Sequence, residues 1–253
     1  VSRIVVAEKI SRSGMDLLER DGNLIVDAVG WPRPRLLEAL ADADALLVRS
    51  GTKVDAELLA AAPKLAVVGR AGVGVDNIDV PEATRRGVLV INSPTGNVVS
   101  AVEHTFALLL ALLRRIPEAV VSIRGGKWER GRFVGTELEG KVVGIVGLGQ
   151  VGSRVAVRAG AFGARVLGYD PYLPAERGRE LGVELVPFER LLPESDIVTL
   201  HATATASARH IMGREAFAAM KRGAILVNVA RGSLVDRDAL EEALTSGHLG
   251  GAA

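Results

Sequence analysis

Residues 142–170, "VVGIVGLGQVGSRVAVRAGAFGARVLGYD", hold more architectural information than any other segment. A β-branched run, 142–146, leads straight into Gly147-Leu-Gly149-Gln150-Val151-Gly152, then a helical stretch over 153–162 and a second apolar run, Arg165–Tyr169. In such a strand–turn–helix–strand unit each glycine has its own task. Gly147 makes the tight turn, Gly149 leaves bare backbone for a pyrophosphate, and Gly152 lets helix and strand pack closely. The helix start adds unsatisfied N–H groups and the positive end of its dipole. Asp170 comes 18 residues after Gly152, at the end of the second run. A carboxylate there accepts the ribose hydroxyl protons of NAD and repels the 2′-phosphate of NADP. Pro171 follows, where an arginine would be needed to accept that phosphate. Three glycines alone could merely tighten a turn. The strand, helix, second strand and acid together read as a dinucleotide site, with NAD the expected cofactor.

The same βα rhythm extends in both directions. Upstream, RIVVAE (3–8), LIVDAV (24–29), ALLVRS (45–50), LAVVGRAG (65–72) and VLVINSP (88–94) alternate with helix-like segments at 12–20, 34–41, 55–61 and 80–86. Asp79 offers a cap to the last of these and Gly87 a stop. Downstream come DIVTLH (196–201) and AILVNVA (224–230). A long helix over 98–115 and a charged loop over 124–140, with five glycines and a lone Trp128, separate the two series. The expected fold is therefore α/β, two doubly wound parallel-sheet domains at about 1–97 and 98–253. The second is the Rossmann domain.

The chain has 253 residues, 48% of them apolar, a formal charge of +1 and no cysteine. Interspersed charges give no nucleic-acid or membrane-binding surface. Without cysteine there are no disulfides, thiolate metal sites or cysteine nucleophiles, which is compatible with a reducing cytosol. The apolar run near the N-terminus is flanked by charges and reads as a first strand. The greasiest stretch, 105–113, is too short to span a bilayer and reads as a helix buried on most faces.

Six segments occur in order: GRAGVGVDNID (69–79), INSPTGN (91–97), KWERGRFVGTEL (127–138), GLGQVG (147–152), GYDPY (168–172) and NVARGSLVD (228–236). Along its whole length the chain thereby resembles the D-2-hydroxyacid dehydrogenases, and among them the phosphoglycerate dehydrogenases. The resemblance implies a flavodoxin-like substrate domain completed by a returning C-terminal segment, with the NAD domain inserted. It implies reversible hydride transfer between NAD and C2 of 3-phosphoglycerate, the entry step of serine synthesis, in the cytoplasm. Arg231 matches the catalytic arginine; a guanidinium there holds a substrate carboxylate and polarises the keto oxygen. His201, Ala202, Thr203, Val229 and Ala230 are placed beside the cofactor with Gln150, Val151, Asp170 and Pro171. Gly72, Val73 and Gly74 match a substrate-cradling loop whose N–H groups suit a carboxylate. Arg49 and Ser50 match positions facing the substrate phosphate. Arg130 reaches a neighbouring subunit's site or is a solvated loop charge. Asn97 bonds substrate or caps the following helix.

Two departures stand out: Thr203 replaces a customary proline, and Val73 a common threonine. Four histidines are present. His104 on the apolar helix reads as structural, His210 as the start of a helical stretch without a partner, and His248 as part of the final turn. None matches the family's catalytic histidine. "GHLGGAA" (247–253) reads as the start of a buried strand, and the family's catalytic Glu and His belong beyond it. The chain as given is thus expected to lack that pair, to be inactive and to be less stable than a longer one. Relatives acting on glyoxylate or hydroxypyruvate remain an alternative, as does a non-catalytic NADH-sensing corepressor. Helix 98–115 packs either across a two-fold homodimer interface or within the subunit.

Overall fold

The computed structural model describes residues 1–253, the side chain of Ala206 excepted, as two compact units, Val1–Asn97 and Val98–Ala253.

Unit 1 runs β1 (Arg3–Val6), α1 (Arg12–Arg20), β2 (Leu24–Asp27), α2 (Arg33–Leu40), β3 (Ala45–Val48), α3 (Ala56–Ala60), β4 (Val67–Arg70), α4 (Val80–Arg85) and β5 (Leu89–Asn92). Its sheet is wholly parallel in the order β2-β1-β3-β4-β5. That is the flavodoxin-like order, which reverses direction between β1 and β3. Successive side chains of a strand take opposite faces. Val5 accordingly joins Leu40, Leu46, Leu58 and Val68 in one core cluster, while Ile4 and Val6 join Ala45 in another. Helix starts are capped by side chains: Ser11 accepts from Gly14 N, Asp55 from Leu58 N and Asp79 from Glu82 N. Beyond α4, Gly87 takes φ 71, the left-handed stop its position calls for.

Unit 2 runs α5 (Val98–Leu113), α6 (Ile116–Arg124), β6 (Val142–Val146), α7 (Gly152–Ala161), β7 (Arg165–Tyr169), α8 (Ala175–Glu180), β8 (Glu184–Leu185), α9 (Phe188–Glu194), β9 (Ile197–Leu200), α10 (Arg214–Ala219), β10 (Ile225–Asn228), α11 (Arg237–Thr245) and β11 (Gly251–Ala252). The parallel order β8-β7-β6-β9-β10-β11 is the Rossmann order, with its reversal between β6 and β9. Helices on both faces bury the strands, and all four residues of β9 are inaccessible.

Three expectations change here. The long helix stops at Leu113, because Arg115 adopts a left-handed conformation (φ 53) and starts a separate helix, α6, with Pro117 in its first turn. Helix α5 is buried along one stripe only, Val98, Val102, Thr105, Phe106, Leu109 and Leu113. The loop over 124–140 contains a 3₁₀ turn, Arg130–Phe133. Among the described residues, no helix is long and apolar enough to cross a membrane.

Candidate dinucleotide and substrate site

At the β6/β9 reversal the glycine turn meets the end of β9. Gly147 has φ 89, and a Cβ there would stand 2.6 Å from Ala202 N and 2.8 Å from the His201 carbonyl carbon. Only a glycine fits between the two strand exits. A Cβ on Gly152 would come within 1.9 Å of the Gly147 carbonyl oxygen. Gly149 differs: among the described residues nothing lies within 4 Å of its Cβ position. Bare backbone facing open space suits a pyrophosphate. Helix α7 starts without a side-chain cap on Val151, which leaves its positive end open to a ligand, although Ser153 N is already taken by Gly149 O at 3.1 Å. Gln150 turns its side-chain oxygen to Arg154, 2.7 Å away.

Asp170 follows β7 and ties the turn together. Its carboxylate accepts from Leu148 N at 2.8 Å and from Tyr172 N at 3.0 Å. Each oxygen keeps a further lone pair for a ribose hydroxyl. Pro171 and Tyr172 beside it are exposed. Replacing Asp170 with Asn removes the charge and half the acceptor capacity. NADH affinity is expected to fall about tenfold and NADPH to gain relative to it, since a hydrogen bond to a charged group contributes about 1.5–3 kcal/mol. Fluorescence titration of both cofactors reads the ratio, and an unchanged ratio removes Asp170 from cofactor selection.

His201 follows β9 and donates its backbone N–H to Val146 O at 2.7 Å; its ring Nε2 lies 3.0 Å from Thr199 Oγ1. Burial lowers its pKa to about 4, so the ring is neutral at physiological pH. Downstream, Thr205 N donates to Thr203 O at 2.9 Å, closing the turn without the customary proline.

Strand β10 ends at Asn228, two residues short of expectation. The Asn228 side chain folds back, accepting from Ala230 N at 3.0 Å and donating to Arg231 O at 2.9 Å. This Asx turn positions Val229, Ala230 and Arg231 beyond the carboxyl end of the sheet. The Arg231 guanidinium donates to Ala230 O at 2.9 Å. Asn228 was legible in the sequence only as a strand residue.

In unit 1, Arg49 and Ser50 leave β3 in an exposed loop. Arg49 lines a cavity of about 430 Å³ with Lys9 and Ser11, the rest of its wall being largely apolar, from Ile10, Leu17, Leu18, Leu47 and Ala71. Two residues absent from the sequence reading hold this loop. Glu8, after β1, accepts from Arg49 N at 2.9 Å, Gly51 N at 3.1 Å and Thr52 N at 2.8 Å. Burial pushes its carboxyl upward, but the bonds from Thr52, Arg49 and Gly51 outweigh that and hold it below its ordinary value. Asn77 donates to Arg49 O at 2.8 Å and Thr52 O at 2.7 Å. Arg70, buried at the end of β4, was also passed over. A Cβ on Gly72 would meet its guanidinium at 1.7 Å. Gly72 gives its N–H to Arg70 O at 2.8 Å, so that group is turned inward in this structure. Val73 O accepts from the Asn92 side chain at 2.5 Å. Gly74 is half-buried, Asn97 is exposed at the end of unit 1, and Arg130 is exposed at the start of the 3₁₀ turn in unit 2.

The remaining histidines need two corrections. His104 lies on the solvent side of α5, because the buried stripe passes through Val102, Thr105 and Phe106. His210 precedes α10 in a left-handed turn, and its Nδ1 lies 3.8 Å from Asp236 Oδ2. His248 Nε2 bonds Met220 O at 3.0 Å.

Residues 106–253 match the family "D-isomer specific 2-hydroxyacid dehydrogenase, NAD binding domain". The chain belongs to the D-isomer-specific 2-hydroxyacid dehydrogenases. Its NAD-binding domain is the Rossmann unit just described. The D-3-phosphoglycerate dehydrogenase of Methanocaldococcus jannaschii is 48% identical over 99% of this chain and 48% of its own length. That of Mycobacterium leprae is 51% identical over 97% of this chain and 46% of its own length. The chain thus spans about half the length of the curated relatives it matches. Among solved structures, D-lactate dehydrogenase from Aquifex aeolicus complexed with NAD and lactic acid has a TM-score of 0.87 and 30% identity. That match covers 99% of this chain and 75% of the other.

Proposed function

We propose that this 2-hydroxyacid dehydrogenase chain serves the NAD-dependent interconversion of 3-phosphoglycerate and 3-phosphohydroxypyruvate, the entry step of L-serine synthesis, in the cytoplasm. The observation that carries the substrate reading is Arg49, which lines the unit 1 cavity together with Lys9 among largely apolar neighbours. Two cations there suit a second anionic group on the substrate, which glyoxylate lacks. The names of the curated relatives agree with that reading.

In this reading the glycine turn, Asp170 and the β9 exit hold NAD, which supplies the hydride chemistry when bound. Arg231 holds the substrate carboxylate and polarises its keto oxygen. Arg49 and Ser50 take the phosphate, and the loop containing Gly72, Val73 and Gly74 lines the substrate with Asn97. Arg130 serves a neighbouring subunit in a homodimer or larger homo-oligomer.

The proton is a separate matter. His201 is held neutral and His248 is tied to a backbone carbonyl. His104 stands on the solvent side of α5. We infer that none of these three supplies the acid–base pair. The test combines NADH fluorescence titration with NADH oxidation on 3-phosphohydroxypyruvate. Binding without turnover is the expected result if the fourth histidine, His210, is idle as well. Turnover by these 253 residues would instead assign proton transfer to a histidine present here, with His210 and its partner Asp236 the first to replace. Arg49→Ala is expected to weaken 3-phosphohydroxypyruvate binding about tenfold and glyoxylate binding far less. Equal losses for both would refute the phosphorylated substrate.

A further inference from the structure

Unit 1 reverses its strand order between β1 and β3, and ligands of open α/β sheets bind at the carboxyl ends of strands beside such a reversal. The segments leaving those two strands carry Glu8 and the loop over 49–52. Three N–H groups of that loop converge on a single carboxylate. Convergent N–H groups form an anion nest. Here the nest is filled from within the chain, so the loop backbone is not what it offers a ligand. What remains for a ligand is the Arg49 side chain; Arg49 and Lys9 both line the cavity.

The fit is close. A Cβ on Gly51 would stand 3.1 Å from Glu8 Oε2. Asn77 grips the same loop from the opposite direction, through the carbonyls of Arg49 and Thr52. Asn77 also lies directly after the segment 72–76, so the two loops expected to meet substrate are braced to each other inside unit 1.

We propose that Glu8 is a positioning residue for recognition of the substrate's phosphate: by filling the nest at the β1/β3 reversal it fixes the loop from which Arg49 reaches the cavity. This rests on the substrate reading above and goes beyond it, since Glu8 itself touches no substrate. An amide at this position has one acceptor oxygen in place of two. Its NH₂ opposes a backbone N–H, and the loop loses its seat. The expected consequence falls on the phosphorylated ligand alone.

Glu8→Gln and wild type are titrated with 3-phosphoglycerate and with D-glycerate, which lacks the phosphate, by ligand-observed NMR. The far-ultraviolet circular dichroism melt serves as the control for folding of unit 1, and NADH affinity as that of unit 2. Wild type is expected to prefer the phosphorylated ligand, and Glu8→Gln to lose about tenfold in that preference with NADH binding unchanged. If Glu8→Gln folds poorly, Gly51→Ala is the milder probe: its methyl crowds the carboxylate, and a loss of the same sign and smaller size is expected. A wild-type preference that both variants keep overturns the role of Glu8 and leaves the substrate reading intact. A wild type that does not distinguish the two ligands overturns the substrate reading and this role with it.

Discussion

Gly152→Ala is expected to unfold unit 2 at a markedly lower temperature and to abolish NADH binding. The added Cβ would lie 1.9 Å from the Gly147 carbonyl oxygen and 3.3 Å from His201 Cβ. The first contact is with a backbone atom, where no flexible side chain can swing aside. Either α7 moves off β6 or the turn opens. Overpacking of this kind costs about 1–3 kcal/mol and more where backbone must shift, roughly 5–10 °C in a domain of this size. Gly149→Ala is the informative companion. Among the described residues nothing lies within 4 Å of that Cβ position, so the fold should tolerate the methyl. The same methyl occupies the space left for a pyrophosphate, and NADH affinity should still fall at least about tenfold. Calorimetry and NADH titration on both variants separate the glycine that packs from the glycine that binds. If Gly149→Ala binds NADH normally, the open face at that glycine is not the phosphate site.

What could be read from the sequence follows from how local the signals are. Gly147, Gly149, Gly152 and Asp170 belong to one continuous βαβ unit, and the fold needs no distant contact to make sense of them. Asp79 and Gly87 delimit α4 within a few residues. The residues that were missed act at a distance. Glu8 binds backbone 41 to 44 positions away, and Asn77 reaches 25 to 28 positions back. Neither partner set is implied by the types of residue involved. The break before α6 depends on Arg115 adopting a left-handed conformation, for which an arginine gives no local signal. Asn228 reads as a strand residue until its side chain is seen turning back on Ala230 N and Arg231 O. His210 and Asp236 meet only because the turn before α10 runs beside the segment 233–236: His210 N donates to Ser233 O at 2.9 Å, and Met212 pairs with Val235.

His201 should make stability fall steeply as pH drops from 7 to 5. Burial holds its folded pKa at about 4, whereas an unfolded histidine titrates near 6.5. Between these values the unfolded chain binds a proton that the folded chain refuses, so lowering the pH favours unfolding. The loss is small at pH 7, about 2 kcal/mol by pH 5, and approaches about 3 kcal/mol below pH 4. Glu8 acts in the same direction but in a different window. Its carboxyl lies below its ordinary value when folded, so its stabilisation is complete above about pH 4.5 and is lost only as pH falls further. The interval from 7 to 5 therefore isolates His201 from this carboxylate. His201→Gln keeps a group able to bond Thr199 Oγ1 but cannot titrate, and its stability should fall about 2 kcal/mol less over that interval. Urea unfolding at pH 5, 6 and 7 measures the difference, and equal slopes in variant and wild type would place the titration elsewhere. The outcome bears directly on chemistry. An imidazole that stays neutral down to about pH 4 beside the dinucleotide turn holds no proton to give at physiological pH. At that position the ring shapes the turn through Thr199 rather than serving as the enzyme's acid, while the residue's backbone N–H holds the Val146 carbonyl.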